Sequence, residues 1–427
     1  MIHAAFRPVI LRDSDPFRKA IYSDYRSRHV LVRLIEESYR LSNPGMRSFF
    51  LLLYGLKSYL DAPPVSSDVF CVYSYRNESR RFSEIQSIFG EIPVHQAPST
   101  LRNISSEKFI FLVRNLNRLP RLLSFLRYLS GRHDFLVSCR LSSTLFYYVW
   151  FNAELAHKKP QLIALSSEAN PYATALLWTA KSRGIPTLYV PHGQVAPEPP
   201  RLYFDLCLLD GEELLRTFSF RGEPTGKILF KGADGPFFPL RIPETEAVSR
   251  IGVFLSISYD EVLLESVLRQ VAARFPGSRI LLRLHPNERV SSDRILRSIG
   301  DLPRIEVSRN QALREDIARC ELIFCGNTGT HLEVLRQGVP SIQLPGIDRF
   351  PHDLRGFIEK RIVPFYSSPA EFTLAALKSF YDAHWPERMR RYDFYYGHSV
   401  AEIHGKLRQE ISAWLRARRG TAGSDRI

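Results

Sequence analysis

The sequence predicts an α/β protein: two doubly wound, Rossmann-like domains facing a cleft, with a C-terminal helix packing back on the body. Three observations predict it. From residue 160 onward, short continuously apolar runs alternate with helical periodicity, as in parallel strands buried on both faces and joined by crossover helices. The Pro-rich, weakly periodic stretch 236–248 interrupts this series once, and the series then starts again. Polar and glycine-containing turns follow the strands, at the ends where open parallel sheets bind their ligands.

Taken in order, residues 1–60 read as mostly helical, with 33–40 and 49–60 as amphipathic pieces. After Pro63-Pro64 the texture changes. Residues 68–73 (DVFCVY) fit a strand, and 109–113 and 135–138 are short apolar strand candidates. Residues 119–129 have helical spacing with basic residues on the other face. The run 161–166 (QLIALS) predicts a buried strand, and 173–183 a helix closed by Gly184 just past its end. Strands follow at 187–190, 206–209 and 228–231, with a short helix over 212–218. Beyond the linker come a strand at 251–256 and a helix over 260–274 opened by an Asp cap. Further strands fall at 279–284, 305–307, 322–325 and 341–344, with helices at 313–318 and 330–337. Val400, Ile403, Leu407, Ile411, Trp414 and Leu415 recur at helical spacing and give the returning helix. The domains are then 1–240, with a helical N-terminal extension, and 249–380, followed by a helical segment 384–416.

Composition limits the function. The 427 residues are 44% hydrophobic and 24% charged, which excludes disordered, collagen-like and polytopic membrane chains. A chain this long buries a core without metal or disulfide staples. Its apolar stretches fall far below the ~20 residues that span a bilayer. The formal charge is +14, and 47 of the 58 basic residues are Arg, whose planar fork suits phosphate and carboxylate. A nucleotide or sugar phosphate, an anionic membrane and nucleic acid all fit that excess; so does a plain bias in genome composition. The charge is spread out, with no basic run before Arg416-Ala-Arg418-Arg419, so no nucleic-acid-binding arm is expected. Five Cys without a CxxC predict buried thiols and neither a disulfide framework nor a zinc site. Arg7, Arg12, Asp13 and Asp15 interrupt any signal-peptide core. The chain reads as cytoplasmic, with a basic surface able to dock at the inner face of a membrane.

The strongest chemical signal is 320–346, which reads strand, Gly-rich turn, helix, Gly stop, strand. The turn Gly326-Asn327-Thr328-Gly329-Thr330 puts hydroxyls and free N–H groups at a helix N-terminus, where an anion is favoured. A plain capping box between Thr330 and Glu333 is the competing explanation. The second signal is Arg283-Leu284-His285-Pro286 at a strand end. Pro286 turns the chain, so His285 faces the cleft, where it can bond a phosphate oxygen or protonate a leaving group. Arg283 shares its face.

Together these segments resemble the donor-binding half of GT-B glycosyltransferases. His-Pro followed by a Ser/Thr-rich turn is similar to bacterial sialyltransferases and polysialyltransferases. Arg-x-His-Pro is similar also to capsule Kdo transferases and CDP-glycerol glycerophosphotransferases. The resemblance covers about 160–360. It implies that His285 contacts the donor phosphate and that Thr328 and Thr330 cradle it. Several relatives have consecutive serines where this chain has Asn327-Thr328-Gly329-Thr330.

Two further strand ends offer a base for an acceptor hydroxyl. Glu168 follows the 161–166 strand, where a helix cap is the plain reading. His192, in Val190-Pro191-His192-Gly193-Gln194, resembles the proposed base of glycerophosphotransferases. Ser256 and Ser258 follow the first strand of the second domain and can reach a phosphate or base. Asp210-Gly211-Glu212 and Lys231-Gly232-Ala233-Asp234 are weaker candidates. Asp13-Ser14-Asp15 is formally a DxD metal motif but lacks a βαβ setting.

The expectation is a glycosyltransferase of bacterial surface polysaccharide (capsule or lipopolysaccharide) synthesis. The first domain holds a glycan or lipid-linked acceptor and the second a nucleotide-sugar donor. The resemblance favours a CMP-linked acidic sugar. UDP-sugar transfer, CDP-alcohol phosphotransfer, a UDP-sugar 2-epimerase and a non-catalytic scaffold are the alternatives. No metal, cofactor or nucleic acid is expected.

Overall fold

Two all-parallel sheets carry the structure, a computed structural model. It describes residues 30–424 except 67, 75, 91, 100–104, 192–198, 234, 257–258, 286–301, 303, 309–310, 349–352 and 354. The first sheet holds β1 (Val69–Tyr73), β2 (Val94–Pro98), β3 (Leu162–Leu165), β4 (Thr187–Tyr189), β5 (Leu206–Leu209) and β6 (Lys227–Phe230), in the order β2-β1-β3-β4-β5-β6. The second holds β7 (Arg250–Phe254), β8 (Arg279–Arg283), β9 (Ile305–Val307), β10 (Leu322–Cys325) and β11 (Ser341–Gln343), in the order β11-β10-β7-β8-β9. The strand order reverses between β1 and β3 in one sheet and between β7 and β10 in the other. These switch points open crevices beyond the strand ends. β3, β5 and β10 are buried along their whole length, which explains their unbroken apolar sequences. These are the two doubly wound, parallel α/β sheets that the sequence predicts.

The helices are α1 (Val30–Leu41), α2 (Pro44–Asp61), α3 (Arg76–Phe89), α4 (Ser106–Arg114), α5 (Leu119–Arg132), α6 (Phe135–His157) and α7 (Pro171–Ser182), then α8 (Glu212–Ser219), α9 (Glu261–Arg274), α10 (Leu313–Ala318), α11 (Thr330–Arg336), α12 (Leu374–Phe380), α13 (Trp385–Tyr392) and α14 (Val400–Ser424). Asp260 caps α9 by accepting from Val262 N at 2.9 Å and Leu263 N at 3.2 Å. Gly184 has φ +66° just beyond α7, the left-handed position that glycine favours.

Two expected strands are helices instead. Residues 109–113 lie in α4 and 135–138 open α6. Ser105 and Asp134 fix these starts, accepting from Lys108 N at 3.3 Å and Val137 N at 2.9 Å. A short apolar run alone does not separate strand from helix. The sequence also hid β2 and α3. β2 is a half-exposed edge strand, VHQAP, without an apolar run. α3 is polar except for Phe82, Ile85, Ile88 and Phe89, which are buried.

The chain ends by returning to the first domain. Ile403, Leu407, Ile411 and Leu415 of α14 are buried in one cluster with Phe82, Ile85, Ile88 and Phe89. A buried charge network joins the two halves at the same place. Lys231 Nζ lies 3.5 Å from Asp210 and 3.6 Å from Glu84. Asp393 accepts from Ala233 N of the first domain and from Arg336 of α11, each at 2.9 Å. Burial raises the Asp210 pKa, while Lys231, Arg81 and Arg336 pull it back. Removing one partner from such a cluster leaves a buried charge uncompensated. Asp210 and Lys231, weak site candidates by sequence, thus belong to the domain joint. The helix cap beside Asp210 is Gly211. A β-carbon on Gly211 would meet the carbonyl oxygens of Arg391 at 2.6 Å and Tyr392 at 2.7 Å, so only glycine lets the returning segment approach. All five Cys are buried, with no disulfide among them.

Candidate functional site

The second sheet's switch point lies between β7 and β10. Leu255-Ser256 follows β7 and Gly326-Asn327 follows β10. One carboxylate ties these two ends together. Asp348, buried, accepts hydrogen bonds from the Ser256 hydroxyl and the Asn327 backbone N–H. A β-carbon on Gly326 would sit 2.5 Å from Asp348 Oδ2, so glycine is required for this approach. The buried His331 ring holds the other side of the Gly326 peptide. Burial lowers its pKa to about 3, so the ring is neutral. A neutral imidazole donates from one nitrogen only. The Gly326 carbonyl, 3.1 Å from Nε2, can only accept, so Nε2 carries the proton. Nδ1 then accepts from the Ser341 hydroxyl at 2.7 Å.

The rest of the turn presents hydroxyls. Thr328 N bonds Gly326 O at 2.8 Å, and Thr330 N donates to Thr328 Oγ1 at 3.3 Å. The two threonine Oγ1 atoms are 3.1 Å apart. The N-cap of α11 is Gly329, with no side-chain cap bond, so the alternative of a Thr330–Glu333 capping box does not form. Arg355 covers the turn. Its guanidinium atoms lie 3.7–3.9 Å from where a β-carbon on Gly329 would stand. Arg355 is half-buried. Burial pulls its pKa down, while Glu333 favours its charged form.

From Arg355 the contacts cross to the first domain. Tyr392 donates its hydroxyl to the Arg355 carbonyl at 3.2 Å. The carbonyl of Tyr392 packs against Gly211, just past the end of β5. Lys360 Nζ reaches Thr217 Oγ1 of α8 at 3.5 Å. The carboxyl ends of β10 and β5 therefore face one another through Arg355 and Tyr392.

Arg283 and His285 occupy the end of β8, beside β7. Arg283 makes its contacts within the protein through Nη1. Its guanidinium pairs with the buried Asp316 and donates to Gln311 O at 3.1 Å, pinning β8 to α10. His285 lies two residues past the strand, half-buried. Pro286 is outside the described residues.

In the first domain, Glu168 follows β3, and Tyr189 of β4 donates to its Oε2 at 3.1 Å. Tyr189 is fully buried and orients that carboxylate. The N-cap of α7 is Asn170, so Glu168 is not spent on the helix. A second carboxylate sits at the β1–β3 switch point. Glu78, buried, accepts from Ser74 N at 2.5 Å and Tyr172 Oη at 3.0 Å. His192, Ser258, Asp234 and Asp13-Ser14-Asp15 lie outside the described residues.

The structure thus gathers Ser256, Gly326 and Asn327 around Asp348 and sets the Arg355 guanidinium against Gly329, between Thr328 and Thr330 in the turn. Sequence reasoning missed Asp348, His331 and Arg355. Asp348 and Arg355 lie in the aperiodic stretch after β11, where only their charge marks them. His331 lies in the first turn of α11, directly after the Gly326–Thr330 turn, where helical spacing gives it no separate signal.

No family model and no curated protein matches the chain. Among solved structures it is similar to S. aureus MnaA in its co-structure with UDP, at 10% identity and a TM-score of 0.48, over 82% of this chain and 97% of that one. It is similar to the UDP-GlcNAc 2-epimerase from Neisseria meningitidis bound to UDP-GlcNAc, at 12% identity and a TM-score of 0.45, over 81% and 100%. It is also similar to the calicheamicin glycosyltransferase CalG4, at 12% identity and a TM-score of 0.46, over 82% and 98%. These are likenesses of overall fold at low identity.

Proposed function

We propose that the chain transfers a sugar from a nucleotide-activated donor to an acceptor hydroxyl. The observation that carries this reading is the Arg355 guanidinium against Gly329, the residue between Thr328 and Thr330, whose hydroxyls lie 3.1 Å apart in the turn that follows β10. A leaving nucleotide gathers negative charge on its phosphate as the sugar–oxygen bond breaks. Preformed donors aimed at that oxygen lower the barrier, because they need no rearrangement during the reaction. Arg355 and the two hydroxyls are such donors. Among the described residues, the N–H groups of Gly329 and His331 have no protein acceptor and add to them.

The other candidates take supporting roles. His285, at the adjacent strand end, donates to a phosphate oxygen. Arg283 positions that strand end through Asp316. Ser256, Gly326 and Asn327 form the floor, and Glu333 accepts from a donor hydroxyl. On the acceptor side, Glu168 removes the hydroxyl proton as the oxygen attacks the anomeric carbon, and the electron pair of the breaking bond leaves with the nucleotide. His192, after β4, is the alternative base. The His-Pro resemblance favours a CMP-linked acidic sugar and a bacterial surface glycan as product. The same phosphate contacts serve UDP-sugars and CDP-alcohols.

Thermal unfolding with CMP, CDP, UDP, GDP and ADP at equal concentration tests the reading. A nucleotide at 100 times its Kd adds about 2.7 kcal/mol. A shift with cytidine nucleotides alone supports the CMP or CDP donor. A shift with UDP alone moves the donor to a UDP-sugar. No shift with any of the five speaks against a nucleotide site.

A further inference from the structure

α4 buries its lysine and exposes three of its five apolar residues. The one buried residue of this helix is Lys108, while Phe109, Ile110 and Val113 are 67%, 46% and 48% exposed. Lys108 Nζ donates to the carbonyls of Leu60 and Ala62, each at 2.7 Å, and lies 4.6 Å from the Trp150 ring centre. The lysine anchors the helix together with Phe111 and Leu112, which pack half-buried on the core, while its other three apolar residues are left exposed. A helix in an ordinary globular surface buries its apolar residues and exposes its lysine.

The next helix adds charge. Residues 106–133 carry six Lys and Arg against one acid, Glu107. Arg114, Arg118, Arg121, Arg127 and Arg132 are all exposed. Among the described residues none of the five has an ion-pair partner. Three exposed arginines on other helices are paired: Arg216 with Glu213 at 2.8 Å, Arg269 with Glu265 at 2.9 Å, Arg391 with Glu387 at 2.5 Å. Tyr128, exposed on α5, has the Arg132 guanidinium 5.4 Å from its ring centre. α2, which packs against α5, contributes exposed Met46, Phe49 and Leu53.

The geometry points to α4 and α5 as a docking surface for an anionic lipid bilayer, with Phe109, Ile110 and Val113 entering the headgroup boundary and the arginines meeting lipid phosphates. Apolar and aromatic residues interleaved with basic ones are what an interfacial helix requires. A second copy of this chain is a poor occupant, because a two-fold contact would press the same unpaired arginines together. Nucleic acid would use the arginines but leave the aliphatic side chains without a role. The inference does not depend on the chemistry proposed for the cleft.

Co-sedimentation of the full chain with vesicles tests it. Phosphatidylcholine vesicles with and without phosphatidylglycerol are compared at low and high salt. The wild type binds the phosphatidylglycerol vesicles, and added salt weakens the binding. Arg114→Ala/Arg118→Ala/Arg121→Ala lowers partitioning about fivefold for each arginine. Phe109→Ser/Ile110→Ser/Val113→Ser also loses binding. All six positions are exposed, and circular dichroism checks that both variants fold. Failure of the wild type to bind overturns the inference. So does unchanged binding by either variant, or salt-sensitive binding to random duplex DNA without binding to vesicles.

Discussion

The guanidinium carbon of Arg355 lies 3.7 Å from where a β-carbon on Gly329 would stand. That is ordinary van der Waals contact, and Gly329 has φ −65°, which alanine adopts without strain. Gly329→Ala should therefore leave stability within about 0.5 kcal/mol of wild type. The new methyl group fills the space between turn and guanidinium, so nucleotide affinity should drop about tenfold. Thermal melts with and without nucleotide separate the two effects.

Gly326→Ala behaves differently. Its β-carbon meets the Asp348 carboxylate that joins Ser256 to Asn327. Forcing that pair apart should cost about 1–3 kcal/mol. Urea unfolding should show a lower midpoint with an unchanged slope.

His331 gives a pH dependence of known sign. Its folded pKa is about 3, against 6.5 for an ordinary histidine. Below pH 6.5 the unfolded chain takes up a proton that the folded chain refuses. This group's stability is therefore complete above pH 6.5 and is lost as pH falls toward 3. Between pH 7 and pH 5 the wild type should lose about 2 kcal/mol more than His331→Gln. Equal losses in denaturant titrations at the two pH values would remove His331 from the account.

Glu168→Gln should lower turnover by about 10²–10⁴-fold while leaving nucleotide affinity unchanged. Tyr189→Phe removes the hydrogen bond that orients the carboxylate and should have a smaller effect in the same direction. If Glu168→Gln keeps full turnover, His192 becomes the base.

The second domain was the more legible half. Strands such as LIFC and helices such as the Asp260-capped one carry their signals locally, in apolar runs and capping residues. The Gly326–Thr330 turn was legible for the same reason. Arg355, Asp348 and Tyr392 were not, because each matters through a contact made only after the chain returns to the strand ends. Arg283 shows the converse. Its strand-end position suggests a ligand, and the buried Asp316 that pairs with its Nη1 lies 33 residues away in sequence. In the first domain, Lys108 sits just before the apolar run 109–113 and is buried, so the run alone reads as a strand although it lies in a helix.

The most direct measurement is calorimetric titration of wild type and Arg355→Ala with whichever nucleotide gives the largest thermal shift. A charged hydrogen bond of this kind contributes about 1.5–3 kcal/mol, so the variant should bind about 10–100-fold more weakly while its unliganded melting temperature stays close to that of the wild type. Equal affinity in the two proteins would place the nucleotide phosphate away from the Gly329 turn and contradict the account.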